Sequence, residues 1–499
     1  MHETTSSSIP TCNRAPVFLL FALLATCLFL FLSGISAPFI SVGEPREAVV
    51  AQSMALSGDL LKSVRYDQDI ATKPPMLHWL MVGSSLITGQ VDEIAARLPS
   101  VLAATITLLV WIVYTFPLFG LARTLLAFFI LATSVEFFRH AAHARVDMLL
   151  SCFMSLALLA LFEWTQSKKN RYLMLASLLM VGASLTKGPV GAALPIAITG
   201  IALVWWKELT LGKVMRLGLT GAVAILPLLL WYCAEAGAKE GDLMTIVLTE
   251  NLGRLLGNMQ AGDDPHAHGL LYMFGALFIG TIPWSLFAMP SLVYAWRRRP
   301  NFLGEKLFDN PRKGRFFQWC VISLAVTFIL FLIPSSKRGV YLLPAYPATA
   351  TLLSLLLFET SHRCEKVFRR TTTGILAFVG FLWLAIIVAR MHLVTVQDFT
   401  SSEKTVEKIS FYIDSLTLSP GFAHLFDWIL SLAPLVLIVI TLVGISKQRF
   451  QPLLTFGVVF ATIAAIAKTQ IVTPIAIQLS PERFIAKEIA IHQPDEITV

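Results

Sequence analysis

Residues 43–75, GEPREAVVAQSMALSGDLLKSVRYDQDIATKPP, crowd Glu44, Arg46, Asp59, Arg65, Asp67, Asp69 and Lys73 into one polar stretch of an otherwise apolar chain. Further ionisable or phenolic side chains recur at the ends of later apolar segments: Arg139, His140, His143, Arg145 and Asp147; then Lys187; then Glu250, Arg254, His266 and His268; then Lys337, Arg338 and Tyr341. Charge at a membrane edge is costly unless it is paired or bound to something. Lys73, Arg145, Lys187, Lys337 and Arg338 suit a lipid-linked phosphate, whose charge they would offset and whose departure they would assist. A carboxylate beside them, Glu44 or Asp147, can take the proton of an acceptor hydroxyl. Arg46, Asp59, Glu250, Arg254, His266, His268 and Tyr341 are the candidates for further substrate contacts. This pairing describes glycosyl transfer from a lipid-phosphate sugar. The plainer alternative, open for each Lys or Arg taken singly, is that it anchors a helix end by snorkelling. Asp147 could equally be a helix N-terminal acid favoured by the dipole, and Arg97 an anchor of the next span.

The elements that must position these residues are membrane helices. The 499 residues are 56% hydrophobic and 14% charged, with a mean hydropathy of +0.71, which excludes a soluble globular surface. The long continuous apolar runs exclude an alternating β-barrel pattern. At roughly 20 apolar residues per crossing, the chain divides into about thirteen spans, near 16–36, 94–116, 122–140, 146–165, 171–186, 189–206, 216–234, 270–295, 316–334, 339–358, 372–391, 426–445 and 451–469. The first reads as a retained anchor. Residues 74–88, opened by Pro74-Pro75, predict a helix lying along the membrane surface.

With the N-terminus inside, the segments between spans on that side carry basic over acidic residues at roughly three to one, as the positive-inside rule requires. The organisation is then an inner tail (1–15), a membrane domain (16–469) whose first outer loop is 37–93, and a short outer tail (470–499). The six cysteines are dispersed without a Cys-x-x-Cys pair, arguing for buried small residues rather than a metal or disulfide framework. The net charge of +8 follows from the basic inner segments and does not point to nucleic acid. His266-x-His268 could hold a cation, but a loop contact to the acceptor is the simpler expectation. A transporter or flippase would need polar or broken helices near the midplane; among the spans only Glu136 stands out.

Glu44-Pro45-Arg46, Ser57-Gly58-Asp59, Thr72-Lys73-Pro74-Pro75, His78-Trp79, Ala96-Arg97-Leu98-Pro99, Ala144-Arg145-Val146-Asp147, Thr186-Lys187-Gly188-Pro189, Glu250-Asn251 with Arg254, Pro283-Trp284 and Ser336-Lys337-Arg338 leading to Tyr341 follow one another in order. In that order they resemble the bacterial ArnT-like glycosyltransferases, relatives of protein O-mannosyltransferases with the GT-C fold. The resemblance implies a polyprenyl-phosphate sugar donor, usually undecaprenyl phosphate, used on the periplasmic side of the bacterial inner membrane. It implies transfer to a lipid, glycan or protein acceptor, commonly with inversion. Lipid A or lipopolysaccharide core is the first acceptor expected, protein the second. It further implies that the first-loop acid is the base and that the outer Lys and Arg hold the phosphate, so Lys73, Arg145, Lys187, Lys337 and Arg338 should converge near Glu44.

Three departures bear on this. Many relatives have Asp-Glu where this chain has Gly43-Glu44, leaving Glu44 or Asp147 as base. Thr72 stands where aminoarabinose transferases commonly have Glu, which removes support for a divalent cation and leaves the metal requirement open. The soluble domain that often follows the last span in relatives has no counterpart in the roughly 30 residues remaining here.

Overall fold

The structure, a computed structural model, describes residues 15–39, 41, 43–65, 69–70, 73–237, 268–297, 310–334, 336–391, 410, 413, 416, 425–448 and 451–480. The chain is an all-α polytopic membrane protein, with one two-stranded hairpin. In order it runs α1 (Ala15–Leu32), α2 (Gly43–Ser57), β1 (Val64–Arg65), β2 (Asp69–Ile70), α3 (Met76–Thr88), α4 (Glu93–Phe119), α5 (Leu121–Thr133), α6 (Val135–Ala141), α7 (Val146–Ser167), α8 (Asn170–Lys187), α9 (Val190–Trp205) and α10 (Leu211–Gly237). It continues with α11 (Tyr272–Gly280), α12 (Trp284–Arg297), α13 (Pro311–Leu332), a 3-10 segment (Gly339–Ala345), α14 (Tyr346–Arg363), α15 (Glu365–Arg390), α16 (Leu425–Ser446), α17 (Pro452–Ala467), a π-turn (Lys468–Val472) and α18 (Thr473–Gln478).

Each of the thirteen expected spans coincides with a helix or a bent helix pair, but the described residues give a smaller number long and apolar enough to cross a membrane. That number is eight, or ten if the bent pairs α5–α6 (66°) and α11–α12 (111°) each count as one span. Over the described residues α1 and α9 are too short to qualify, and Asn170, Arg171 and Lys187 dilute the ends of α8. The last helical path also continues to Gln478 rather than stopping at 469. It does so through the π-turn, whose Gln470 Oε1 accepts from Arg390 of α15 at 2.8 Å and whose Lys468 Nζ donates to the Phe31 carbonyl at 3.4 Å.

Among the described residues, two large apolar clusters hold the bundle. One gathers α4–α7, α12, α14 and α17 around Trp284, Phe287 and Phe456; the other gathers α7–α10 and α13 around Phe162, Phe316 and Trp319. Polar atoms inside a bilayer must be satisfied from within. Trp111 and Trp284 accordingly donate Nε1–H to Thr351 and Thr133, each at 2.8 Å, while Thr107 and Thr199 bond back to the carbonyl four residues earlier. The two broken helices meet where the Val135 N–H donates to the Ile282 carbonyl at 3.2 Å. At the end away from the first long loop, Glu208 accepts from Lys168 and Lys213 at 3.0 Å and from Arg315 at 2.6 Å.

Helices α8 and α9 turn about Gly188-Pro189, and Gly191 lets them close: a Cβ there would stand 2.6 Å from Ser184 N and 2.7 Å from Ala183 O. These are backbone atoms that cannot swing away. Gly191→Ala should therefore destabilise by roughly 1–3 kcal/mol, read as a lower melting temperature in detergent. Gly200→Ala, with nothing within 4 Å, should be neutral or slightly stabilising. Equal melting temperatures for the two variants would refute this packing.

Candidate functional site

The first long loop folds into α2, the hairpin and α3, and sits against one end of the bundle, here the loop face. Arg97 in the first turns of α4 fixes that attachment. Its Nε and NH2 reach the two Glu44 carboxylate oxygens at 2.9 and 3.2 Å. Its NH1 donates to the carbonyls of Ile35 (2.8 Å) and Ala37, and its guanidinium stacks 5.0 Å from the Phe39 ring. Glu44 also accepts the Ala144 N–H at 3.0 Å. Glu44 and Arg97 are 2% and 5% exposed. Burial pushes the Glu44 pKa up, but Arg97, helped by His143 and the Ala144 N–H, outweighs it and holds the carboxyl below its usual value.

The direct ion-pair partner of Glu44 is a residue outside the expected set of phosphate ligands. Its cation is Arg97, and the predicted phosphate ligands have other partners. Lys73 pairs with Glu47, whose other oxygen lies 3.0 Å from His78 Nε2. Lys187 Nζ donates to Asp147 Oδ1 at 2.5 Å and lies 4.8 Å over the Tyr341 ring. Lys73 and His140 both stand within electrostatic reach of Asp147. Arg145, at the turn that starts α7, rests its guanidinium against Gly43. Thus Lys73, Arg145, Lys187, Tyr341 and Asp147 gather on the loop face beneath α2 and α3, as the sequence pattern suggests, with Glu47 as an added member. Glu47 lies one helical turn beyond Glu44, and that i, i+3 spacing is the signal that marks it. Burial raises the Glu47 pKa, yet Lys73 and His78 bring it down to about 2.

The remaining candidates have surroundings of their own. Lys337 is 3% exposed and donates to the carbonyls of His268 (3.0 Å) and Pro334 (2.5 Å). Arg338 is half-buried, its Nε without a hydrogen-bond partner among the described residues. Arg46 is exposed on α2. Asp59 accepts from the Leu61 and Lys62 N–H groups and pairs with Lys62 at 3.7 Å, a local turn. His268 is exposed and stacks on Tyr272, ring centroids 4.1 Å apart. Glu250, Arg254 and His266 lie outside the described residues. Among the described residues no group of His, Cys, Asp and Glu has the geometry of a metal site.

The family of dolichyl-phosphate-mannose-protein mannosyltransferases matches residues 72–231, the stretch that holds Lys73, Arg97, Arg145, Asp147 and Lys187. A protein of Aquifex aeolicus is 25% identical over 391 residues, 77% of this chain and 72% of that one. The undecaprenyl phosphate-alpha-4-amino-4-deoxy-L-arabinose arabinosyl transferase of Shewanella sediminis is 24% identical over 355 residues, 70% of this chain but 61% of that protein's length. The crystal structure of ArnT from Cupriavidus metallidurans bound to undecaprenyl phosphate superposes with a TM-score of 0.68, covering 98% of this chain and 82% of that one at 19% identity. The chain thus shares the fold of that ArnT structure, and it is similar at low identity to the arabinosyl transferase and, over residues 72–231, to the mannosyltransferase family.

Two outcomes follow from the geometry. Glu44→Gln should lose stability, by roughly 3–5 kcal/mol for breaking one side of a buried pair, seen as a lower melting temperature and less folded protein; a variant melting with the wild type would rule out this structural role. His143, beside that pair, has its pKa lowered to about 4, chiefly by burial, with the Glu44 charge opposing and His140, Arg139 and Arg97 reinforcing. The folded state therefore binds the His143 proton less well than the unfolded state. The stability it contributes is complete above the ordinary imidazole value of 6.5 and is lost as pH falls from 6.5 toward about 4. Melting temperature should drop across that window, and His143→Asn should flatten the slope; an unchanged slope would assign the pH dependence elsewhere.

Proposed function

We propose that this chain is an integral membrane glycosyltransferase. It takes a sugar from a polyprenyl phosphate, undecaprenyl phosphate in a bacterium, and transfers it to a cell-envelope acceptor, lipid A or the lipopolysaccharide core, on the periplasmic face of the inner membrane. The observation that carries this reading is the gathering of Lys73, Arg145 and Lys187 with Asp147 and Glu47 on the loop face. The ArnT fold adds support.

In this reaction the acceptor hydroxyl oxygen attacks the anomeric carbon as the bond from that carbon to the phosphate oxygen breaks. The electron pair leaves on the polyprenyl phosphate, the acceptor proton passes to a carboxylate, and configuration inverts. Asp147 is the base. Glu44 is spent on Arg97, whereas Asp147 is tied to a lysine that is itself 26% exposed at its side chain. An arriving phosphate competes for Lys187 and Lys73, and Asp147 is released to the acceptor as Lys187 turns to the phosphate. The lysines then stabilise the charge that develops on the leaving oxygen. A protein acceptor is the second reading, favoured by the mannosyltransferase family match over residues 72–231.

The test is transfer in membranes from a set of labelled undecaprenyl-phosphate sugars, with product counted in the lipid, glycan and protein fractions. Asp147→Asn should fold, bind donor and lose turnover by about 10²-fold or more. Lys187→Ala should weaken donor binding. Undiminished turnover in Asp147→Asn would sink its role as base, and a wild type that transfers from no donor would sink the reading as a whole.

A further inference from the structure

Gly43 begins α2, and its surroundings leave no room for a side chain. A Cβ built at residue 43 would stand 2.8 Å from Arg145 Cζ, 2.9 Å from NH1 and 3.0 Å from NH2. Real Cβ atoms do not approach so closely, so the flat guanidinium lies on the bare Cα and fills the place of the missing side chain. Arg145 also differs in its company. Lys73, Lys187 and Arg97 each hold a carboxylate, whereas among the described residues no carboxylate pairs with Arg145.

We propose that Gly43 is a positioning residue for donor recognition: by carrying no side chain it seats the Arg145 guanidinium on the first turn of α2, where Arg145 is the phosphate contact that need not first give up a carboxylate. This rests on the polyprenyl-phosphate reading above and adds an order of events. The phosphate meets Arg145 first, and Lys187 and Lys73 exchange onto it afterwards. A guanidinium suits that first contact, since its planar fork can hold two phosphate oxygens at once.

The atoms in the way are the far end of a flexible side chain, so Gly43→Ala displaces Arg145 without disturbing backbone, and the variant should fold. The experiment is a double-mutant cycle on binding of undecaprenyl phosphate to the full chain in nanodiscs, using wild type, Gly43→Ala, Arg145→Ala and the double variant, with melting temperature recorded for each. Gly43→Ala should weaken binding about 10-fold in the wild-type background and less than about 2-fold once Arg145 is alanine, because neighbours acting through one contact are not additive. Arg145→Lys gives a second background: a slim ammonium does not lie flat on residue 43, so Gly43→Ala should again cost little.

In the transfer assay Gly43→Ala should raise the donor KM with kcat kept within about 2-fold, a split that general loss of fold does not produce. An equal cost of Gly43→Ala in all backgrounds would mean that glycine serves the helix and not Arg145, and would overturn the proposal. So would unchanged binding in Gly43→Ala. If wild type itself does not bind undecaprenyl phosphate, the donor reading falls and this falls with it; if it binds without coupling between 43 and 145, only this inference falls.

Discussion

One buried guanidinium fixes the architecture of the loop face. Arg97 reaches the chain leaving α1 through the Ile35 and Ala37 carbonyls, the start of α2 through Glu44, and the α6–α7 turn through the Ala144 N–H that Glu44 accepts. A charge held at 5% exposure would be prohibitive without that many partners. With them it becomes a rigid joint. α2 cannot shift without unpairing Arg97, so Glu47 and Gly43, one turn apart on α2, hold their places relative to α7. Glu44 belongs to that joint, and a Glu44 variant without activity would report lost architecture before it reported lost chemistry.

Around the joint the charges are distributed between neighbouring elements. The pair Lys73–Glu47 links the chain before α3 to α2, and Lys187–Asp147 links the end of α8 to the start of α7. Both lysines are partly exposed while their carboxylates are nearly closed off. The cationic partner is the one that faces outward, which is the arrangement a site for an anion requires.

The sequence makes the types and the neighbourhood of these residues legible but not their pairing. Clustered charge at the ends of apolar segments marks one membrane face, and Lys73, Arg145, Asp147 and Lys187 do gather there. The choice of partner is hidden because each pair closes a long stretch of chain: Arg97 is 53 residues from Glu44, Lys73 is 26 from Glu47, and Lys187 is 40 from Asp147. Which carboxylate faces which cation depends on how α2 lies over α4, and no local spacing encodes that. The contacts of Lys337 are hidden for a related reason: its two carbonyl partners, His268 and Pro334, are set by how the chain turns and not by its charge. The helix positions are plain from hydropathy, whereas the breaks at Ser134 and at Thr281–Pro283 are not, because both lie within continuous apolar runs.

The carboxylates opposite Lys73 and Lys187 have a bearing on the end of the catalytic cycle. Glycosyl transfer turns a phosphodiester into a phosphomonoester, so the spent lipid leaves with more negative charge than the donor brought. A pocket of unopposed lysines would hold the spent lipid more tightly than fresh donor and would clog. In the proposed reaction, Glu47 and Asp147, built into the protein beside those lysines, would reclaim their cations as the phosphate departs. Such a site would carry its own relief from product inhibition, with one anion exchanged for another at a nearly constant local charge.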